Sequence, residues 1–337
     1  MTNHPRSEAR CAGGSVTPTR GNMAIGIQII TGFLGSGKTS LVRHLVEGPG
    51  AGRVGVVVGE YAEDGFDGQM IQASGATVRQ ITSTGRGIAA SSYLPPARSF
   101  VEEGRFDRII VETSGVTEIA HVSQELAADP EVSKGAVFGP TIVVVDASSF
   151  ESHDRHFPAQ FWSQIDVADI VAVNKTDKVG SEVLEIIRQR VKNRNPEANV
   201  QFAFMGQLNR MIASSLPVEG FIPRSMRASW EGVLPAEFES FVYRSHRPCY
   251  DRVALGHLML NLPGGHIARY KGVLRCWDRA YCINGMPGQL DWDNTPVEGD
   301  TRVAFIGLGM EARQAEITDR LDKELERQRD AMRSGDL

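Results

Sequence analysis

The chain is 337 residues long, 41% hydrophobic and 23% charged, with a formal net charge of −5. That length and apolar content suffice for two packed domains. Arginines dispersed through an acidic chain argue against a nucleic-acid partner, and no apolar run approaches the roughly 18 residues of a membrane span.

Residues 1–24 are polar, rich in Gly, Thr, Arg and Pro, and predicted to be a disordered tail. They contain no apolar segment of a secretory peptide, which with four scattered cysteines predicts a cytoplasmic protein. Met23 stands directly before the first strand and is an alternative start to Met1. Ile25 to Ile30 is an apolar strand, and Thr39 to Glu47 reads as a helix. Between them lies Gly32-Phe-Leu-Gly35-Ser36-Gly37-Lys38-Thr39. Strand, Gly-x-x-x-x-Gly-Lys-Thr and helix, in that order, predict a loop whose backbone N–H groups cradle phosphate oxygens. Gly32, Gly35, Ser36, Gly37, Lys38, Thr39 and Ser40 are the expected contacts, with Lys38 on the β- and γ-phosphates and the Thr39 hydroxyl on Mg²⁺.

Val54 to Val58 is a strand that runs into a glycine-bounded loop holding Glu60, Glu63, Asp64 and Asp67. This loop reads either as solvated surface or as a switch segment in which Glu60, Glu63 and Asp67 help place Mg²⁺, water or a second metal. A strand at 77–81 leads to Thr84-Gly-Arg86-Gly-Ile88, and Pro95-Pro96 predicts a break in the helical segment that follows. Phe106 to Gly115 reads as a strand ending in Glu112, the position of a carboxylate that holds Mg²⁺, then Gly115, whose N–H would meet the γ-phosphate.

Further strands are expected at 142–146, 169–173 and 199–204. His153 and His156, three apart around Asp154, suit a metal on a helix but also read as two solvated histidines in a polar loop. Asn174-Lys175-Thr176-Asp177 follows a buried strand, where ligands bind in open α/β sheets. Asp177 can accept from guanine N1–H and the exocyclic amine, donors adenine lacks there, so the expected nucleotide is GTP. Asn174 would support base and loop, and Lys175 would lay its methylene stem over the ring. Only seven lysines occur, and two fall in these two motifs.

Alternating strands and helices over 25–215 predict an α/β fold, a P-loop NTPase with a mostly parallel sheet and helices on both faces. A Pro- and Gly-bearing linker spans 216–236. A β-α-β-β-β-α pattern then predicts a small α+β domain over 237–312, followed by a charged helix and tail over 313–337. Cys11, Cys249, Cys276 and Cys282 lack paired spacing and read as reduced thiols.

This ordered set resembles the CobW-like GTPase family, relatives of the HypB and UreG metallochaperone GTPases. The likeness rests on the Gly-Phe-Leu-Gly-x-Gly-Lys-Thr loop, the switch acids at Glu60, Glu63 and Asp67, and Glu112-Thr-Ser-Gly115. It extends to Val144-Val-Asp146-Ala, Asn174-Lys-Thr-Asp177, Tyr243-Arg-Ser and Arg269-Tyr-Lys271-Gly. The resemblance implies slow GTP hydrolysis to GDP with Mg²⁺, coupled to delivery of Zn²⁺, Co²⁺ or another transition metal to a metalloprotein client, with turnover raised by a partner or a homodimer. One departure bears on the metal. Where the family carries Gly-Cys-x-Cys-Cys, this chain has Thr84-Gly-Arg86-Gly-Ile88, so a thiolate site of the family type cannot form. Gly59 also replaces the switch Asn, and Thr117-Glu-Ile replaces Ala-Asp-Pro. Two other readings stay open: a GTP-gated adaptor that carries no metal, with Arg86 where the ion would sit, and a P-loop ATPase or kinase, which would leave Asp177 without its guanine donors.

Overall fold

The computed structural model describes residues 24–48, 50–60, 66–82, 88–208, 221–228, 238–262, 266–297 and 299–334. The first unit runs β1 (Ile25–Thr31), α1 (Lys38–Val46), β2 (Val54–Glu60), α2 (Phe66–Ala73), β3 (Thr77–Thr82), α3 (Leu94–Glu103), β4 (Arg108–Glu112), α4 (Ile119–Ala128), α5 (Pro130–Gly135) and β5 (Ala136–Phe138). It continues through β6 (Ile142–Asp146), α6 (Phe150–His156), α7 (Pro158–Asp166), β7 (Ile170–Asn174), α8 (Ser181–Arg194) and β8 (Asn199–Phe202). Strands β1, β2, β4, β6 and β7 are buried at every position. Burial at every position of these mostly apolar strands fits a parallel sheet covered on both faces.

The strand order is β3-β2-β4-β1-β6-β7-β8, with β5 also on β1, and the pairings of this sheet are parallel. Leu41, Leu45 and Ile71 cover one face over Val56, Ile110 and Val144. Phe100, Ile119 and Leu126 cover the other over Ile27, Val57 and Ile109. Strand β5 was not expected, because three residues are too few to show a period. At Pro95-Pro96 the helical segment changes type, from a 3₁₀ turn at Ala90–Tyr93 to α3, and α3 itself is not broken. Both prolines sit in the first turn of α3, where a missing N–H costs no hydrogen bond.

Part of the predicted linker docks on this unit. A single turn, α9 (Arg224–Arg227), buries Ser225 against the hydroxyls of Ser123 and Thr141 at 2.7 and 2.8 Å. The Asp169 carboxylate accepts from the N–H groups of Thr141 and Arg224. Residues 1–23 of the expected tail, with Met23, the segment 83–87 with Arg86, and the rest of the linker lie outside the described residues.

The second unit comprises β9 (Phe238–Ser245), α10 (Arg252–Leu260), β10 (Ile267–Arg275), β11 (Ala280–Met286), β12 (Gln289–Val297), β13 (Thr301–Leu308) and α11 (Met310–Ser334). Its antiparallel sheet has the order β12-β11-β10-β13-β9. The expected pattern lacked β12. This edge strand carries exposed Asp291 and Asp293 and a proline, which depress strand propensity while protecting an edge. The boundary placed after residue 312 falls inside α11. Ile317, Leu321 and Leu325 of that helix join the core with Phe241, Tyr243, Leu255 and Phe305, so the helix belongs to the domain.

The two units share a core. Phe33 of the glycine-rich loop lies with Phe157 and Phe238, ring centroids 5.4 and 6.0 Å away, and Ala268 and Ile306 of the second sheet close the same cluster. Cys249 and Cys276 are buried, free thiols on adjoining backbone.

Candidate nucleotide-binding site

Strand β1 ends in the middle of its sheet, between β4 and β6, and the chain turns there through the glycine-rich loop into α1. Gly32 has φ +146°, and a Cβ on it would lie 2.1 Å from the Val144 carbonyl oxygen. Gly37, at the N-terminal end of α1, has φ +98°, and a Cβ there would lie 2.2 Å from Asn174 Nδ2. Both positions need glycine for the loop to exist. Lys38 Nζ donates to the carbonyls of Gly32 and Phe33 at 2.8 and 3.3 Å, folding its ammonium over the loop. Thr39 Oγ1 donates to Glu112 Oε1 at 2.9 Å, which joins residues 73 positions apart into one oxygen-donor set.

At the other end Asn174 is 2% exposed and ties two segments together. Its Nδ2 donates to Ser36 O at 3.0 Å and its Oδ1 accepts from Gly206 N at 2.9 Å. Lys175 takes a left-handed conformation, φ +57°, and its ammonium holds Asp146 at 2.7 Å. Asp177 follows in a short 3₁₀ turn anchored by Thr176 Oγ1 on Ala203 O at 3.1 Å.

These ends face one cavity of about 410 Å³, within the range of about 300–1,000 Å³ typical of ligand sites. Gly35, Gly37, Lys38, Thr39, Ser40, Glu60, Glu112, Gly115, Lys175, Asp177 and Met205 line it. Gly32, Ser36 and Asn174 stand directly behind as supports. Glu60 ends β2 beside the cavity, whereas Glu63 lies outside the described residues and only the backbone of Asp67, in α2, is described. The far wall comes from the second domain: Arg269, Lys271, Asn284 and Arg302, with the Asp291 carboxylate and apolar Val242 and Ile306 beside them. Sequence reasoning missed this wall. Its signal, basic residues at alternate positions 269 and 271 of a strand, has no direction until the sheet is docked.

Comparison with known proteins decides the ancestry. Residues 26–202 match the family described as CobW/HypB/UreG, nucleotide-binding domain, and residues 238–325 match the Cobalamin synthesis protein cobW C-terminal domain. The chain belongs to the CobW/HypB/UreG family.

Relatives include the zinc chaperone CobW of a Sinorhizobium species, 27% identical over 53% of this chain and 59% of its own length. Another is the zinc chaperone YjiA of Escherichia coli, 24% identical over 87% of this chain and 96% of its own. The chain spans about three-fifths of the length of its CobW relatives. Among solved structures, Zn(II)-bound YjiA GTPase from E. coli aligns over 89% of this chain and 99% of its own, at 21% identity and a TM-score of 0.42.

Gly59 and Thr117 meet at one side chain. Tyr93 is fully buried, and its hydroxyl occupies the space at residue 59, where a Cβ would lie only 2.0 Å from it. Glycine at position 59 is therefore what Tyr93 requires. The same hydroxyl accepts from Ser114 N at 2.9 Å and bonds Thr117 Oγ1 at 3.2 Å, while Thr117 donates to Ser114 Oγ. Burial pushes the Tyr93 phenol up to about 12, so it stays neutral. Tyr93 thus fixes the turn after Glu112, at the Ser114 amide next to Gly115.

His153 and His156 form no metal pair. His153 is 1% exposed, packed on Phe33 at 4.6 Å, and neither of its ring nitrogens has a hydrogen-bond partner. Burial pushes it down to about 4. His156 instead sits on the Ser152 carbonyl, and Asp154 is taken by Trp162 and Arg190. The reading of both histidines as solvated is corrected for His153 by the amphipathic turn of α6. Among the described residues no group of three or more His, Cys, Asp and Glu could hold a metal, and no helix is long and apolar enough to cross a membrane.

Proposed function

We propose that this protein binds GTP in the cavity between its domains, hydrolyses it slowly to GDP and phosphate, and uses the two nucleotide states to serve a metalloprotein client. One observation carries the reading: the folded-over Lys38 and the Thr39–Glu112 pair share a cavity with Asp177, which supplies a phosphate end and a base end on one wall. Backbone N–H groups of 35–40 and the N-terminus of α1 would hold the phosphates. Asp177 would accept from guanine, and Asn174 would keep the phosphate loop and the base loop in register.

A hydroxyl and a carboxylate are hard oxygen donors suited to Mg²⁺, which Thr39 and Glu112 would hold, with Glu60 at the cavity edge as a further acid. When bound, that ion would neutralise charge on the β- and γ-phosphates. Lys38 would add a positive charge on the same oxygens, and Tyr93 would hold the Ser114–Gly115 turn where a γ-phosphate is sensed.

The family and the zinc-chaperone names of its relatives support a metalloprotein client. A second reading, a GTP-gated adaptor without metal, is favoured by the positive charge already present at the switch acid: Lys271 Nζ lies 3.4 Å from Glu60 Oε1. Titration with GTP and ATP analogues in Mg²⁺, on wild type and Lys38→Ala, tests the central reading. Guanine-selective binding and turnover, both lost in Lys38→Ala, are expected, and turnover that survives the substitution overturns the assignment. Metal content with and without the GTP analogue separates the two client models.

A further inference from the structure

The C-terminal sheet has two chemically distinct faces. Alternation along its strands sends Phe241, Tyr243, Tyr270 and Phe305 into the core under α10 and α11, and sends Arg269, Lys271, Asn284 and Arg302 into the cavity lined by Lys38, Thr39 and Glu112. Register places Lys271 opposite Ala304 on one side and Asn284 on the other. The small alanine leaves the lysine stem room to lie across the sheet. The basic face belongs to a domain anchored on the phosphate loop itself, through Phe238 and Phe33.

Lys271 is a member of this face that crosses to the nucleotide domain. Its ammonium lies 3.4 Å from Glu60 Oε1, a contact between residues 211 positions apart. A tight charge-assisted hydrogen bond is about 2.7–2.9 Å, so the pair is loose. Glu60 has another support, since Gln80 Nε2 donates to its second oxygen at 3.0 Å. The carboxylate therefore keeps a partner if Lys271 leaves.

We propose that the basic face is a lid over the triphosphate end of the nucleotide and that Lys271 is its γ-phosphate contact, exchanging Glu60 for phosphate oxygen when the third phosphate is present. The inference rests on the GTP reading above. GDP ends short of that position and leaves the Lys271–Glu60 pair in place. The exchange draws the sheet toward Lys38 and removes the Lys271 charge from Glu60 Oε1 on the metal side of the cavity, while Gln80 keeps its bond to the other oxygen. The disposition of the two domains thereby reports the third phosphate to whatever binds the outer surface.

The test is affinity of the full chain for GDP and for a non-hydrolysable GTP analogue, each with Mg²⁺, in wild type, Lys271→Met and Lys271→Arg. Loss of one hydrogen bond to a charged group predicts about 10- to 100-fold weaker binding of the analogue to Lys271→Met, with GDP affinity within about twofold and most analogue affinity kept by Lys271→Arg. Equal loss for both nucleotides, or no loss for the analogue, overturns the lid while leaving the GTP reading intact. Wild type that binds neither nucleotide overturns the GTP reading and the lid with it. If Lys271→Met does not fold, Lys271→Gln carries the same contrast.

Discussion

Asn174 is the strut on which both ends of the cavity depend, and its removal has a calculable cost. Asn174→Ala deletes two buried hydrogen bonds, to the Ser36 carbonyl and from the Gly206 N–H. At 2% exposure, water does not easily replace them. A buried group left unsatisfied costs about 1–3 kcal/mol; with two groups and partial relaxation around the small void, the expected loss is about 3 kcal/mol. In a domain of this size each kcal/mol shifts the melting temperature by about 2–4 °C, so Tm should fall by about 6–12 °C. Asn174→Asp separates the two bonds. Its carboxylate still accepts from Gly206 N–H but offers the Ser36 carbonyl no donor, and burial raises its pKa above the unfolded value. The penalty is then greatest at neutral pH and is relieved as pH falls through the folded pKa, where the protonated acid donates to Ser36 O. Thermal unfolding followed by circular dichroism at two pH values reads both effects. An Asn174→Ala protein that melts within about 1 °C of wild type refutes the strut.

Other outcomes follow from the same geometry. Asp177→Asn should invert the preference between GTP and XTP in competition binding, and an unchanged preference removes Asp177 from the base site. Tyr93→Phe leaves the Ser114 N–H without its acceptor and should destabilise the protein by about 1–3 kcal/mol in thermal or denaturant unfolding; wild-type stability would show that the hydroxyl only fills space. His153 is held neutral to about pH 4, whereas in the unfolded chain it takes a proton near 6.5. Its depressed value means stability is intact above about 6.5 and lost as pH falls toward 4, by about 2 kcal/mol at pH 5. His153→Leu should shrink the difference in Tm between pH 7 and pH 5, and an undiminished difference assigns the acid sensitivity elsewhere.

The parallel sheet was legible because its central strands are mostly apolar. The glycine-rich loop and Asn174 to Asp177 could be picked out because each is a contiguous string, and the structure brings Lys38, Thr39 and Asp177 to one cavity. What lay hidden depends on juxtaposition. Tyr93 gives no local sign that it fills the space at Gly59 and accepts from Ser114, twenty-one positions away. Strand β12 was masked by the aspartates and proline that suit an edge. His153 looked solvated because its polar neighbours Asp154 and Arg155 hide a turn that points it at Phe33. Lys271 was visible only as part of a family string, and its contact with Glu60 needed the docking of one domain on the other.

Calorimetric titration of the full chain with a GTP analogue and with its adenine counterpart, in the presence of Mg²⁺, addresses the nucleotide pocket most directly. Saturable heat with the guanine analogue, and none at equal concentration of the adenine one, is the predicted result. Absence of heat with either, or equal affinity for both, contradicts the pocket assigned to Lys38, Thr39, Glu112 and Asp177.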